Sequence, residues 1–285
     1  MTEGNDDMGD GESKAAFPAT IYHYCPTGTF LKILESKAIW LSDIRHMSDY
    51  KEGRWAYELI EGVIKERSTK GLDGGLPEVL LRMFEIWNLS RLRLPKVSAS
   101  AFHNEFEEVV DGNATSAFIA CFSEEGDLLS QWRAYADDGL GVTIGFDPES
   151  FGLEPRPAYV SRDPHSAIGL APVVYDSCNQ RRTIEARLER YLTDPRLATK
   201  AEETAAECAA DLGAVGLTFK NPSFSEEREW RIIHTPMRMG PGEMDFRGAI
   251  TDVHYRVSGG NVVAYFPFSF AETADPAIKE VVLGP

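Results

Sequence analysis

Strand-like and helical segments do not alternate regularly along this chain. Short apolar or β-branched segments, which predict strands, lie at 20–25, 38–41, 117–123, 141–146, 171–175, 229–234, 249–256, 262–267 and 278–283. Segments with helical spacing lie at 27–37, 52–67, 77–90, 100–110, 128–136, 179–192 and 197–213. Because helices are inserted between strands without regular alternation, the pattern predicts an α+β fold with helical insertions near 52–110 and 179–213.

The length of the chain bounds the number of domains. A chain of 285 residues admits two domains at roughly 150 residues each. The motifs described below are spread from residue 21 to 229 and have to meet in one fold, so we expect a single domain over residues 19–285. Residues 1–18 begin with an acidic, Gly-rich stretch, which predicts a disordered, solvated tail.

The charge balance restricts the class of partner. The chain has 45 acidic and 29 basic side chains, a net charge of −16, which argues against bulk electrostatic binding to nucleic acid or anionic lipid. A protein or small-molecule partner is therefore favoured over a nucleic acid, although a local basic groove would reverse that preference. The sequence also lacks a run of eighteen apolar residues and a start typical of a signal peptide, so we expect a cytoplasmic protein that does not cross a membrane.

Common catalytic and metal-binding motifs are absent from the sequence. There is no phosphate-binding P-loop, no His-Glu-x-x-His and no Gly-x-Ser-x-Gly. The glycines at 139, 141 and 145 follow a predicted helix and lead into a strand, the reverse of the order that a dinucleotide fingerprint needs. The histidines lack metal-ligand spacing, and the four cysteines lie far apart, so we expect reduced thiols and no bound metal.

Three segments place polar side chains on or between predicted core strands. The first, 21–27, carries His23 within a short strand. The second, 118–146, sets Ser130, Trp132 and Tyr135 on a helix between two strands. The third, 224–233, is predicted to place two glutamates, 227 and 229, on the same face of a strand because they are two residues apart.

The three segments resemble a widespread bacterial domain family of unknown function. Its members share Tyr-His-Tyr, Trp-Leu-Ser-Asp, Phe-Ser-x-x-x-Asp-x-x-Ser-x-Trp-x-x-Tyr and Phe-x-x-Glu-x-Glu-Trp-Arg, and the match runs from residue 21 to 285. The order of these motifs is also similar to that of the ADP-ribosyltransferase superfamily. That resemblance implies an ADP-ribosyltransferase-like mixed β-sheet core, with NAD bound as a substrate.

The resemblance also implies a set of NAD-binding residues. His23 would hydrogen-bond the ribose hydroxyl and the nicotinamide side of NAD. Either Trp132 or Tyr135 would stack on the nicotinamide ring, and Ser130 would lie near its amide. The remaining members of the expected cofactor-binding set are Tyr24, Ser42 and Ser123.

Catalysis is assigned by the same resemblance to the two glutamates. Glu229 would hold the nicotinamide-ribose hydroxyl and stabilise the positive charge that develops as nicotinamide leaves, a role that suits a carboxylate. Glu227 would orient the acceptor. The implied activity is mono-ADP-ribosyl transfer to an unknown acceptor or NAD glycohydrolysis, in a toxin or a phage-defence factor.

Each of these residues also has a structural alternative. His23 would be packed by its tyrosine neighbours, the helix aromatics would belong to the core, and the two glutamates would form ion pairs with nearby arginines. Asp43, Asp49 and Glu52 suggest either a cation site or ordinary capping and surface positions. The alternative to an enzyme is a non-catalytic module that binds a nucleotide or a protein segment in the same cleft.

The segment 278–283 is predicted as a core strand, and it ends two residues before the chain does. Two interpretations stay open: the sequence is truncated after this strand, or the strand is the true end of the protein.

Overall fold

The computed structural model describes residues 16–44, 50–69, 117–238, 246–270 and 276–285. Its helices are α1 (Thr27–Ser36), α2 (Tyr50–Thr69), α3 (Leu129–Tyr135), α4 (Ser177–Leu192) and α5 (Ala201–Gly216). Its strands are β1 (Ile21–Cys25), β2 (Ala38–Asp43), β3 (Phe118–Ser123), β4 (Val142–Phe146), β5 (Ile168–Pro172), β6 (Glu229–His234), β7 (Met237–Arg238), β8 (Phe246–Arg247), β9 (His254–Ser258), β10 (Asn261–Ser269) and β11 (Ile278–Leu283). The predicted helices at 77–90 and 100–110, and most of the predicted tail, lie outside the described residues.

Nine of these strands form one sheet. Its main path runs β11-β4-β1-β3-β2-β10-β9, and β6 and β5 extend it from β3. Every strand ladder in the described ranges is antiparallel. The α+β class is therefore confirmed, but the prediction of a mixed sheet is wrong for this part of the chain. Parallel pairing is confined here to two isolated bridges. Strands β1 and β2, which α1 connects, both run antiparallel to β3 but form no ladder with each other.

One edge of strand β3 pairs with two different strands. On that edge β1 pairs only at Tyr22–Ser123, and β2 pairs only at Ser42–Ile119 and Asp43–Phe118. The opposite edge of β3 pairs with β6 along its whole length. Strands β1 and β2 therefore diverge around the middle of β3, and α1, which connects them, lies over the gap.

The two largest hydrophobic clusters of the described residues lie on the sheet and among the helices. The larger one is built from the apolar side chains of the strands, including four phenylalanines at 118, 122, 146 and 266. The smaller one lies between α2, α4 and α5 and contains Ile60, Ile184 and Leu212. Gln180 of α4 joins the helices to the sheet, because its side-chain amide donates to the carbonyls of Val174 and Lys220, at 2.6 and 2.8 Å.

Three predicted elements lie at different positions or have a different character. The strand predicted at 171–175 is β5, at 168–172, where it pairs with β6. Strand β11, predicted as a core strand, is an edge strand with mostly exposed side chains. Glu227, predicted to lie on a strand face with Glu229, ends a 3₁₀ turn over residues 222–227 that precedes β6. None of the described helices is both long enough and apolar enough to cross a membrane.

Replacing Gly141, where α3 gives way to β4, should destabilise the protein. A Cβ atom there would lie 2.5 Å from the carbonyl oxygen of Cys25 and 2.9 Å from the backbone of Ala136. Neither neighbour can move without disturbing β1 or the end of α3. We expect Gly141→Ala to lower the free energy of unfolding by about 1–3 kcal/mol, measured by urea denaturation followed by tryptophan fluorescence.

The matched control is Gly28→Ala in α1. No atom lies within 4 Å of a Cβ placed at that position, and alanine has the higher helix propensity. Its free energy of unfolding should be unchanged or slightly raised. Equal stabilities of the two variants would contradict the close contact at Gly141.

Candidate functional site

A cleft opens where β1 and β2 separate on the edge of β3. Its volume is about 190 Å³, below the roughly 300–1,000 Å³ of typical small-molecule pockets. An extended ligand would therefore place only part of itself inside. Residues of α1, α3, β1, β2, β3, β6 and β9, and of the turn before β6, line the cleft. The lining side chains considered below for ligand binding or catalysis are His23, Lys32, Trp40, Ser42, Cys121, Gln131, Tyr135, Glu227, Glu229 and Arg256.

His23 occupies the gap between the diverging strands. Its Nδ1 lies 3.0 Å from the carbonyl oxygen of Cys121, and its ring packs against Phe122 at 5.6 Å between centroids. Because a carbonyl oxygen only accepts, Nδ1 carries the proton. Burial lowers the pKa of His23 more than this hydrogen bond raises it. The histidine is thus a fixed, neutral side chain whose Nε2 is left as an acceptor.

The aromatic residues predicted around NAD divide into two groups. Tyr135 lines the cleft. Trp132 is 1% exposed and does not line it; its Nε1 donates to Asp127 at 2.8 Å, and its ring packs edge-on against Tyr24. Tyr24 lines the cleft, but its hydroxyl is held by the backbone of Glu125 and Leu128. Of the two candidates for stacking, only Tyr135 is placed to contact a ligand in the cleft.

The three predicted serines also differ in position. Ser42 lines the cleft, and its Oγ accepts a hydrogen bond from Arg256 Nη2 at 2.9 Å. Ser123 does not line the cleft: its Oγ donates to the Glu227 carbonyl at 2.7 Å and accepts from the Glu125 amide. Ser130 also lies off the lining, and its buried Oγ has no hydrogen-bond partner among the described residues. Ser123 thus fixes the turn before β6, whereas Ser42 belongs to the cleft.

The two predicted catalytic glutamates meet at a buried lysine rather than on one strand face. Glu229 opens β6, but Glu227 ends the 3₁₀ turn, and Arg228 between them has a φ of 41°. The expected alternation along a strand is therefore wrong, because Glu227 lies in a turn and Arg228 has left-handed rather than extended backbone dihedral angles. Lys220 Nζ, 1% exposed, lies 2.5 Å from Glu227 Oε2 and 3.1 Å from Glu229 Oε2.

Glu229 is buried and strongly paired. Arg231 donates to its two oxygens through Nε at 2.6 Å and Nη2 at 3.0 Å. Burial acts to raise the pKa of Glu229, but Arg231 and Lys220 outweigh it and bring the pKa to about 2. The Cys121 thiol also hydrogen-bonds this carboxylate, and burial keeps the thiol pKa well above its usual value. The cleft thus has an ionised carboxylate at its β6 end, next to a neutral thiol.

Several residues that line the cleft or contact its lining were not predicted from the sequence. Trp40 lies within a quoted motif, although it was given no role. Arg256 and Lys220 belong to segments that match no motif, so no sequence signal marks them. Asp43, suggested for a cation site, is the buried last residue of β2. In the described ranges no group of three or more His, Cys, Asp and Glu side chains could hold a metal ion.

The ionised state of Glu229 should make stability depend on pH. A carboxylate whose pKa is depressed in the folded state stabilises the fold above its unfolded pKa, near 4.5, and loses that contribution as the pH falls toward 2. The wild type should be more stable than Glu229→Gln at pH 6, by on the order of 3 kcal/mol. Urea unfolding from pH 6 to pH 3 should show this gap narrowing; a constant gap would contradict the assigned ionisation.

Removing the shared cation should cost more than removing a surface one. Lys220→Met leaves Glu227 without its lysine and Glu229 with Arg231 alone, so we expect a loss of about 3 kcal/mol in the free energy of unfolding. Lys200→Met is the control, because Lys200 pairs with Glu203 on the surface, where the two side chains are 57% and 53% exposed; its cost should stay below about 1 kcal/mol. Similar losses in the two variants would contradict a buried ion cluster.

The comparisons with known proteins bear on the segment that runs from α3 to β6. No curated protein and no solved structure matches the chain. Residues 131–232 match a family described as a protein of unknown function (DUF2971). This match includes Gln131, Tyr135, Glu227 and Glu229 of the cleft, and supports the prediction of an uncharacterised domain family.

Proposed function

We propose that the protein is an NAD-consuming enzyme of ADP-ribosyltransferase-like type, which transfers ADP-ribose to an acceptor or to water. One observation carries the proposal. Residues from three distant segments, predicted from the order of their motifs, line a single cleft: His23 from β1, Tyr135 from α3 and Glu229 from β6. The proposed function requires these three segments to meet in one cleft, whereas the composition of the chain does not require it.

The proposed reaction needs a negatively charged side chain near the ribose carbon at which positive charge develops. When the bond between the ribose C1′ and the nicotinamide nitrogen breaks, its electron pair leaves with nicotinamide and the ribose becomes oxocarbenium-like. Glu229, held ionised by Arg231 and Lys220, would stabilise that charge. The oxygen of water or of the acceptor then bonds to C1′, and its proton passes to Glu227, which we propose as the base and as the group that orients the acceptor.

His23 and Tyr135 would position the nicotinamide half of NAD. His23 offers Nε2 as an acceptor for a ribose hydroxyl, because its Nδ1 proton is committed to Cys121. Tyr135 supplies the ring wall. We propose a protein or a small molecule as the acceptor rather than a nucleic acid, in keeping with the net charge of −16.

A second candidate is a non-catalytic module that binds a nucleotide in the same cleft. The observation in its favour is that both oxygens of Glu229 are already engaged by Arg231 and Lys220. In that case Glu229 would shape the cleft and would not assist bond breaking. NAD would then bind without turnover.

The test is release of nicotinamide from NAD, quantified by liquid chromatography, with water and then candidate proteins as acceptors. We expect Glu229→Gln to lower the rate by about 10²–10³-fold, because it removes charge stabilisation from the transition state. Glu226→Gln is the control, since Glu226 is exposed in the same turn, and it should keep the wild-type rate.

Two results would contradict the proposal, the first for the role of Glu229 and the second for catalysis itself. Equal nicotinamide release by the wild type and Glu229→Gln would exclude the proposed role of the carboxylate. NAD binding by calorimetry without any nicotinamide release would instead favour the binding module.

A further inference from the structure

The end of the cleft away from β6 has two cations around one indole ring. The ring of Trp40 in β2 lies 5.5 Å from Lys32 Nζ of α1 and 5.2 Å from the guanidinium carbon of Arg256 of β9. Arg256 Nη2 also donates to Ser42 Oγ at 2.9 Å. Trp40 and Ser42 are two residues apart in β2, so they share a face of the sheet. These four residues, all in the cleft lining, are called the Trp40 end.

The two cations of the Trp40 end lack carboxylate partners in the part of the chain that the structure describes. The chain has 45 acidic and 29 basic side chains, so a shortage of carboxylates does not explain this lack. Arg256 is half-buried, and its Nε is buried with no hydrogen-bond partner among the described residues. A buried donor without an acceptor destabilises the protein unless a ligand supplies one.

The opposite end of the cleft shows the contrast. There Lys220 and Arg231 are paired with Glu227 and Glu229. The β6 end is therefore a cluster whose charges are paired with each other, whereas the cations of the Trp40 end have no such partners in the described residues. A ligand of the cleft would therefore place its negative charge at the Trp40 end.

Arginine and lysine together point to a phosphate group. The guanidinium presents its N–H groups as a fork that matches two phosphate oxygens, and the lysine adds a point charge. The fork has Nε free, while Nη2 is oriented by Ser42. The Trp40 ring beside both cations supplies a flat apolar wall that excludes water and strengthens the ion pairing.

We propose that the Trp40 end binds a phosphate or diphosphate group, with Arg256 and Lys32 as its ligands, so that the protein takes phosphorylated nucleotides and not nucleosides. For NAD the group would be the diphosphate, and that identification alone rests on the proposed function. Positively charged nicotinamide would then face the carboxylates of the β6 end.

The test is isothermal titration at constant ionic strength with inorganic pyrophosphate, ADP and adenosine. The wild type should bind pyrophosphate and ADP, and adenosine should bind much more weakly. Arg256→Gln should lower the affinity for pyrophosphate and ADP at least tenfold, and Lys32→Gln should lower it severalfold. The affinity of Arg256→Lys should lie between those of the wild type and Arg256→Gln, because lysine keeps the charge and loses the guanidinium fork. Binding of ADP but not of pyrophosphate would mean that the nucleoside carries recognition, and would overturn the proposal.

The control is Arg247→Gln, since Arg247 is an exposed arginine of β8 outside the cleft lining. It should bind like the wild type, and urea denaturation of each variant shows whether the fold is kept. Because Lys32 is exposed, Lys32→Gln tests the proposal even where Arg256→Gln does not fold. Unchanged pyrophosphate binding in folded Arg256→Gln, or an equal loss in Arg247→Gln, would overturn it.

The experiment separates this subsite from the proposed enzyme. Arg256-dependent binding of pyrophosphate without nicotinamide release from NAD would keep the subsite and refute the enzyme. Nicotinamide release by Arg256→Gln with an unchanged KM for NAD would keep the enzyme and refute the subsite.

Discussion

The arrangement of the cleft depends on one edge of β3 being shared by two strands. An edge that paired with a single strand would be covered by backbone hydrogen bonds along its whole length. Here β1 pairs at one end of that edge and β2 at the other. The Cys121 carbonyl between them accepts from His23 instead. The His23 side chain thereby takes the hydrogen bond that a neighbouring strand would otherwise make, and the gap in the sheet forms a polar cleft.

The charges of the cleft are organised around this gap. Arg231 and Lys220 hold the buried Glu229 ionised, where an unpaired carboxylate would take up a proton, and Lys220 also pairs with Glu227. Arg256 and Lys32 approach from the other side without carboxylates of their own in the described part of the chain. The fold thus engages one pair of cations in buried ion pairs and leaves the other pair without carboxylate partners among the described residues.

Much of the site could be anticipated from local patterns. The short strand with His23, the helix with Tyr135 and the strand that begins at Glu229 were all predicted, since each depends on hydrophobic spacing over a few residues. Trp132 and Ser123 show where such reasoning stops. Both belong to a predicted motif, yet Trp132 is held in the interior by Asp127 and Tyr24, and Ser123 holds a turn. A motif gives the order of residues but not the direction of each side chain.

The sequence by itself determined the α+β class, the positions of most strands and helices, and which short segments carry polar residues. These follow from hydrophobic periodicity, which is a property of neighbouring residues. Only the tertiary structure decided that the sheet is antiparallel in the described ranges, that Glu227 precedes β6 in a turn, and that Arg256 and Lys32 approach the same ring. Lys32 and Arg256 are more than two hundred residues apart in the chain, and nothing in the local sequence of either specifies the other. Their proximity follows from strand pairing and from the path of α1 across the gap, which are long-range interactions.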